Sequence, residues 1–182
     1  MYAPPAAPVS SPKRWPTWLI VVLAGLGACA IVLPILAVLA VYGVRKYLAN
    51  AKMAEARNAL GQIASDAAKA YERDHVLCAS AVRPVPASMT MLRGTKYQSA
   101  AADWQADATR HAGFSCLGFS LDSPQYFQYS YVVSRANPGE FVATAHGDLN
   151  GDRKESTFIV RGEVKAGTLL ISPTIEETDP EE

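Results

Sequence analysis

The sequence predicts an α+β protein: a long N-terminal helix, transmembrane in its first half and amphipathic in its second, packed on a small antiparallel β-sheet. Three observations carry this. Residues 17–44, bounded by Thr17 and Val44, contain no charged side chain. The run that follows repeats apolar residues at three- and four-residue steps, the spacing of one helix face. After residue 124, short segments alternate apolar and polar at period two between turn residues, the pattern of half-buried strands.

The first 16 residues are rich in Pro, Ala and Ser and lack the apolar content for a core, so 1–16 reads as a disordered cytoplasmic tail. Residues 17–44 exceed the roughly 20 needed to cross about 30 Å of hydrocarbon as a helix. Pro34 is tolerated there, because membrane helices re-satisfy the backbone groups that a proline frees. Trp15, Trp18 and Tyr42 sit near the two ends, where amphipathic rings favour the interface. A cleaved secretory signal has a shorter apolar region, about 7–15 residues, so a retained anchor is expected. Flanking charge leaves orientation open, since Lys13 and Arg14 are matched by Arg45, Lys46 and Lys52.

Residues 45–76 form the soluble half of the same helix, with Met53, Ala56, Leu60, Ile63, Ala67 and Tyr71 on its apolar face. No proline intervenes between Pro34 and Asp74, so one helix of roughly 85 Å is expected. Residues 77–172 supply a connecting region and the sheet. Pro84 and Pro86 break the helix, and a short helix is expected near 101–110. Strands are expected at 125–134, with Phe127, Tyr129, Tyr131 and Val133 on one face, at 140–146, at 156–164 and at 168–172. Asn137-Pro138-Gly139 and Asn150-Gly151 provide turns. Residues 173–182 read as an acidic disordered tail.

The 182 residues carry 17 Lys+Arg and 17 Asp+Glu, a balance that argues against nucleic acid as a partner. Of the three cysteines, Cys29 lies inside the apolar run and reads as a small apolar residue. Cys78 and Cys116 are candidates for one disulfide, which needs an oxidising compartment and a compatible geometry. That pair favours a cytoplasmic N-terminus and an outer C-terminal domain. Asp148, Asn150 and Asp152 alternate like the oxygens of a calcium loop, but Arg153 and Ile159 stand where an EF-hand has its glycine and glutamate. A polar hairpin turn is the competing reading, so no cofactor is expected, with calcium the one candidate. His75, His111 and His146 lack zinc-site spacing. No nucleophile elbow, phosphate loop or dinucleotide fingerprint occurs, and a non-enzymatic protein is expected.

The stretch Tyr47-Leu48-Ala49-Asn50-Ala51-Lys52-Met53-Ala54-Glu55-Ala56-Arg57 resembles the part of type IV pilins and pseudopilins in which the helix leaves the membrane. Asn58-Ala59-Leu60 through Ala70-Tyr71-Glu72 is similar to their solvent helix. Gly113-Phe114-Ser115-Cys116-Leu117, Pro124-Gln125-Tyr126-Phe127-Gln128-Tyr129, Gly147-Asp148-Leu149-Asn150-Gly151-Asp152 and Ser156-Thr157-Phe158 are similar to later parts of pilin-like proteins. The resemblance spans about residues 39–164. It implies a subunit of an extracytoplasmic assembly, whose apolar helices bundle and whose sheet domains tile the outside. It also implies a cut near Val21, where the family has a preceding glycine and a following glutamate; this chain has Ile20 and Gly25.

The expectation is therefore a single-pass inner-membrane protein with a periplasmic or extracellular C-terminal domain. Its expected partners are membrane lipid and other pilin-like subunits or assembly proteins of a type IV pilus or type II secretion-like machine. The alternative is a signal-anchored binding module, calcium-dependent or not; a membrane-tethered hydrolase is a distant third.

Overall fold

A computed structural model describes residues 16–180. The N-terminal tail, Lys13, Arg14 and Trp15, and the last two glutamates lie outside the described residues. Helix α1 covers Thr17–Asp74 without interruption, with Pro34 inside it. Short helices α2 (Ala101–Trp104) and α3 (Gly113–Leu117) follow, together with single 3-10 turns at Met89–Met91 and Ala108–Arg110. Strands β1 (Gln128–Val133), β2 (Glu140–Gly147), β3 (Ser156–Lys165), β4 (Thr168–Ile171) and β5 (Glu176–Thr178) complete the chain. The protein is thus α+β, with a long N-terminal helix and a five-stranded antiparallel sheet. It divides into two compact units, Met1–Arg45 and Lys46–Glu182.

In the first unit residues 17–44 of α1 carry no charge and are long enough to cross a membrane, and no part of the apolar window is buried against protein. Trp18, Val21, Leu33 and Val38 are each more than 60 % exposed. An apolar surface of this kind is suited to lipid or to neighbouring apolar helices.

The second unit is built on the periodicities that the sequence shows. The stripe Met53, Ala56, Leu60, Ile63, Ala67 and Tyr71 is buried, together with Ala59, Ala64 and Ala70. On the sheet, Phe127, Tyr129 and Tyr131 join Phe141, Ala143 and Ala145 of β2 and Phe158 and Val160 of β3 in the same core. Register explains the mixture of sizes: Tyr129 faces Ala145, which faces Phe158, and Tyr131 faces Ala143, which faces Val160. Alanines on the middle strand leave room for the rings beside them. Each fully buried large side chain contributes about 2 kcal/mol. Gly162 is required by close approach, since a Cβ there would stand 2.2 Å from Phe141 Cε1.

The sheet is a meander, β1-β2-β3-β4, and β5 also pairs with β3. β4 faces residues 162–165 of β3 and β5 faces 157–159, so the two short strands share one edge. The opposite edge, on β1, is covered by the connector: Ala81 and Val85 N–H donate to Tyr131 and Tyr129 carbonyls, both at 2.9 Å. No long strand edge is left there for chance pairing.

Two expectations need correction. The 173–182 segment is not wholly a loose acidic tail, because Glu176–Thr178 forms β5. Its acids are matched to cations on neighbouring elements: Glu177 to Arg57 at 2.7 and 2.8 Å, Glu176 to Arg161 at 3.0 Å. The expected strand at 125–134 begins only at Gln128, because Gln125 pairs its backbone with Tyr97 instead.

Candidate functional site

A charge-free helical surface has two uses, insertion into lipid and packing against other apolar helices. The bounding residues Thr17 and Val44, and Pro34 between them, lie on one helix, which continues into the second unit. Cys29 is exposed and free. This apolar surface is a candidate membrane span by its length and composition.

The second feature lies where α1 meets the chain leading into β1. Glu55 stands one residue before the buried Ala56 and reaches the sheet side. Its Oε1 accepts the Tyr126 N–H at 2.7 Å and the Tyr129 hydroxyl at 3.3 Å. Desolvation raises the Glu55 pKa, opposed by these hydrogen bonds and by Lys96. The Tyr129 hydroxyl is pushed up as well, first by burial and then by the Glu55 charge. Above the Tyr126 ring stand two ammonium groups, Lys52 at 4.8 Å and Lys96 at 4.6 Å from its centre. Lys52 Nζ also donates to the Leu149 carbonyl at 3.1 Å.

That carbonyl belongs to the loop with the candidate metal ligands. Asp148 is buried; its Oδ1 accepts the Gly151 N–H at 2.7 Å and its Oδ2 the Arg153 N–H at 3.1 Å. Asn150 Oδ1 accepts the Asp152 N–H, and Asp152 Oδ1 the Lys154 N–H. These oxygens build a succession of side-chain-stabilised turns. Among the described residues no group of three or more His, Cys, Asp and Glu side chains is arranged to hold a metal.

Cys78 and Cys116 are joined, with their Cα atoms 5.8 Å apart, tying the connector that follows α1 to α3. Beside the bridge lies an aromatic group that sequence reasoning missed. The Trp104 ring is edge-on to Phe114 at 5.0 Å and Phe119 at 5.3 Å, and its N–H donates to Ser99 Oγ. Buried Asp107 anchors the same region, accepting the Val82 N–H at 2.8 Å and pairing with Arg110. His75 and His111, distant in sequence, both act on Asp74, whose pKa is lowered chiefly by its hydrogen bond to Arg73. His146 is elsewhere, its Nδ1 3.0 Å from Thr157 Oγ1. The aromatic run divides: Phe127, Tyr129 and Tyr131 are fully buried, and Tyr126 alone reaches the surface.

Glu55 and Trp104 carried no usable sequence signal. A glutamate beside an apolar stripe is common on exposed helix faces, and the partners of Trp104, Phe114 and Phe119, lie ten or more residues away in sequence, outside any local periodicity.

Comparison of the chain with protein-family models, with curated proteins and with solved structures finds no match.

Proposed function

We propose that this chain is a membrane-anchored, pilin-like structural subunit or accessory component of a type IV pilus or type II secretion-like assembly. The observation that carries the reading is the single helix α1, apolar and unburied at its start and the spine of a sheet domain at its end. An apolar helix leaving lipid needs neighbours to cover it, and identical subunits supply them by symmetry. The Cys78–Cys116 bridge favours an oxidising compartment for the sheet domain, hence an inner-membrane protein with a periplasmic or extracellular C-terminal part.

A structural rather than enzymatic role is favoured by how the polar interior is used. Gln125 Nε2 donates to the Val85 and Phe127 carbonyls, Asp107 and Asp148 accept backbone N–H groups, and Ser156 Oγ donates to the Gly147 carbonyl. Each of these atoms is spent on architecture, while Gln125 Oε1 and the Tyr131 hydroxyl are buried without a hydrogen-bond partner among the described residues. Ile20 and Gly25, in the places of the pilin glycine and glutamate, favour a subunit that keeps its anchor and caps or primes an assembly.

The test is fractionation with N-terminal sequencing, combined with oxidative cross-linking through Cys29, the free cysteine of the described residues. A retained component stays with membranes, keeps its N-terminus and gives Cys29-linked species. A start near Val21 with release by shearing makes it a polymerising subunit. Recovery as an uncross-linked monomer, with no partner copurifying, refutes both forms and leaves the solitary binding module.

A further inference from the structure

The last two strands are one edge strand broken in the middle. β4 pairs with residues 162–165 of β3, and the Ser172 N–H carries that pairing on to the Arg161 carbonyl at 2.8 Å. β5 resumes with Glu176 opposite Ile159 and ends with Thr178 opposite Thr157. Pro173, Thr174 and Ile175 therefore stand against Val160 alone, as a bulge that contains a proline. A bulge interrupts the ladder, so the strand can part there while β4 stays in place.

Little apolar surface holds β5 down. Its three residues are all exposed, and the neighbouring Ile175, inside the bulge, is only partly buried against the core. The hold is electrostatic and works from both faces of the sheet, because successive side chains of a strand point to opposite faces. Glu177, opposite Phe158, meets Arg57 of α1 at 2.7 and 2.8 Å. Glu176, opposite Ile159, meets Arg161 at 3.0 Å on the other face. Both pairs are open to solvent, so each is weak and screened by salt. Beneath β5 lie the backbone edge of residues 157–159 and the fully buried Phe158, whose ring centre is 5.9 Å from the Arg57 guanidinium.

We infer that β5 is an exchangeable arm, which leaves its own β3 and pairs with the 157–159 edge of a second copy while that copy's arm returns the pairing. A vacated edge offers unpaired N–H and C=O groups to an extended segment. Arg57 and Arg161, on opposite faces, select a segment with acids at two successive positions. Among the described residues Glu176-Glu177 is the one such dipeptide, so a second copy brings the matching strand. Exchange makes the same contacts as the closed chain and costs little beyond bringing two copies together. The short hinge at 173–175 favours it, and Glu176–Pro180, extended, reaches about 17 Å. All these contacts lie within the Lys46–Glu182 unit, so arm exchange does not depend on a membrane span or on the assembly proposed above.

The test mixes two full-length variants in micelles, T157C and T178C, both in a C29A background that removes the free cysteine. Thr157 and Thr178 face each other in register, so exchange brings the two new cysteines of different copies together. After mild oxidation, linked species are separated without reductant and mapped by mass spectrometry. A 157–178 heterodimer is expected, formed about fivefold faster at about 0.5 M salt than at about 0.05 M, the combined weight of two exposed ion pairs. Its final yield is expected to be equal at both, since closed and exchanged forms contain the same pairs. E177Q in the T178C chain is expected to speed its formation about twofold at the lower salt. The double variant T157C/T178C is expected to close within one chain, and its failure to do so overturns the inference by showing that β5 does not seat there. Absence of the heterodimer at both salt concentrations makes the arm a permanent part of its own sheet and overturns exchange. Dimers formed as readily by T178C alone mark contact between outer edges of β5, and overturn it too.

Discussion

Removing the Cys78–Cys116 bridge tests what holds the domain together. The bridge closes a loop of sequence separation 38 that contains α2, most of α3, and Trp104 with Phe114. In the chain-entropy description such a loop restricts the unfolded state by roughly 13 cal/mol/K, about 4 kcal/mol at 25 °C. Both half-cystines are buried, at 5 % and 6 % exposure, so alanine also leaves a small void worth about 1 kcal/mol. The double variant C78A/C116A is thus expected to lose about 4–5 kcal/mol, a large part of the roughly 5–15 kcal/mol of an ordinary domain. Guanidinium unfolding of the full chain in micelles measures it, with the buried indole of Trp104 as reporter. Wild type unfolded under reducing conditions gives the entropic part without the void. A loss below about 1 kcal/mol in both arms would refute the reasoning, because the 79–115 segment would then be restrained as strongly without the bridge.

Three further outcomes follow from particular contacts. G162A places a Cβ 2.2 Å from Phe141 Cε1, so about 2 kcal/mol of overpacking is expected in the same assay; an unchanged midpoint would mean the ring moves freely. E55Q probes a carboxyl whose folded-state pKa is raised, chiefly by desolvation. Its stabilising contribution is full below its unfolded value of about 4.3 and declines as pH rises through the raised folded value. Since glutamine still accepts the Tyr126 N–H, the wild type should lose ground to E55Q as pH is raised from 4 to 7 in thermal melts; parallel curves would contradict this. R57A removes a partly exposed two-point pair to Glu177, at 42 % and 27 % side-chain exposure, so only about 0.5 kcal/mol of global stability is expected to go. Hydrogen exchange at Glu176–Thr178 should nevertheless accelerate, and unchanged exchange would show that β5 is held without it.

Helix α1 and strands β1 to β3 were legible in the sequence because their signals are local and periodic. Absence of charge over 17–44, the step of three and four from Met53 to Tyr71, and the alternation through Tyr129, Tyr131, Phe141 and Phe158 each report which face is apolar. Burial follows directly from that. The end of the chain misled for the opposite reason. Glu176 and Glu177 look like solvated charge in isolation, and their partners Arg161 and Arg57 are remote in sequence, so the charge that suggests a frayed tail instead fastens β5.

The functional surfaces divide in the same way. Sequence alone determined the apolar half of α1, since hydropathy needs no partner to be read. Tertiary structure alone decided that the Asp148 and Asn150 oxygens are turned to their own loop, and that Cys78 reaches Cys116. It also brought Glu55 to Tyr126, and Lys52 and Lys96 over one ring. These are encounters between distant segments, fixed by strand register and by the rotation of α1 against the sheet. A one-dimensional pattern records which side of an element is apolar, but not which remote neighbour that side will meet.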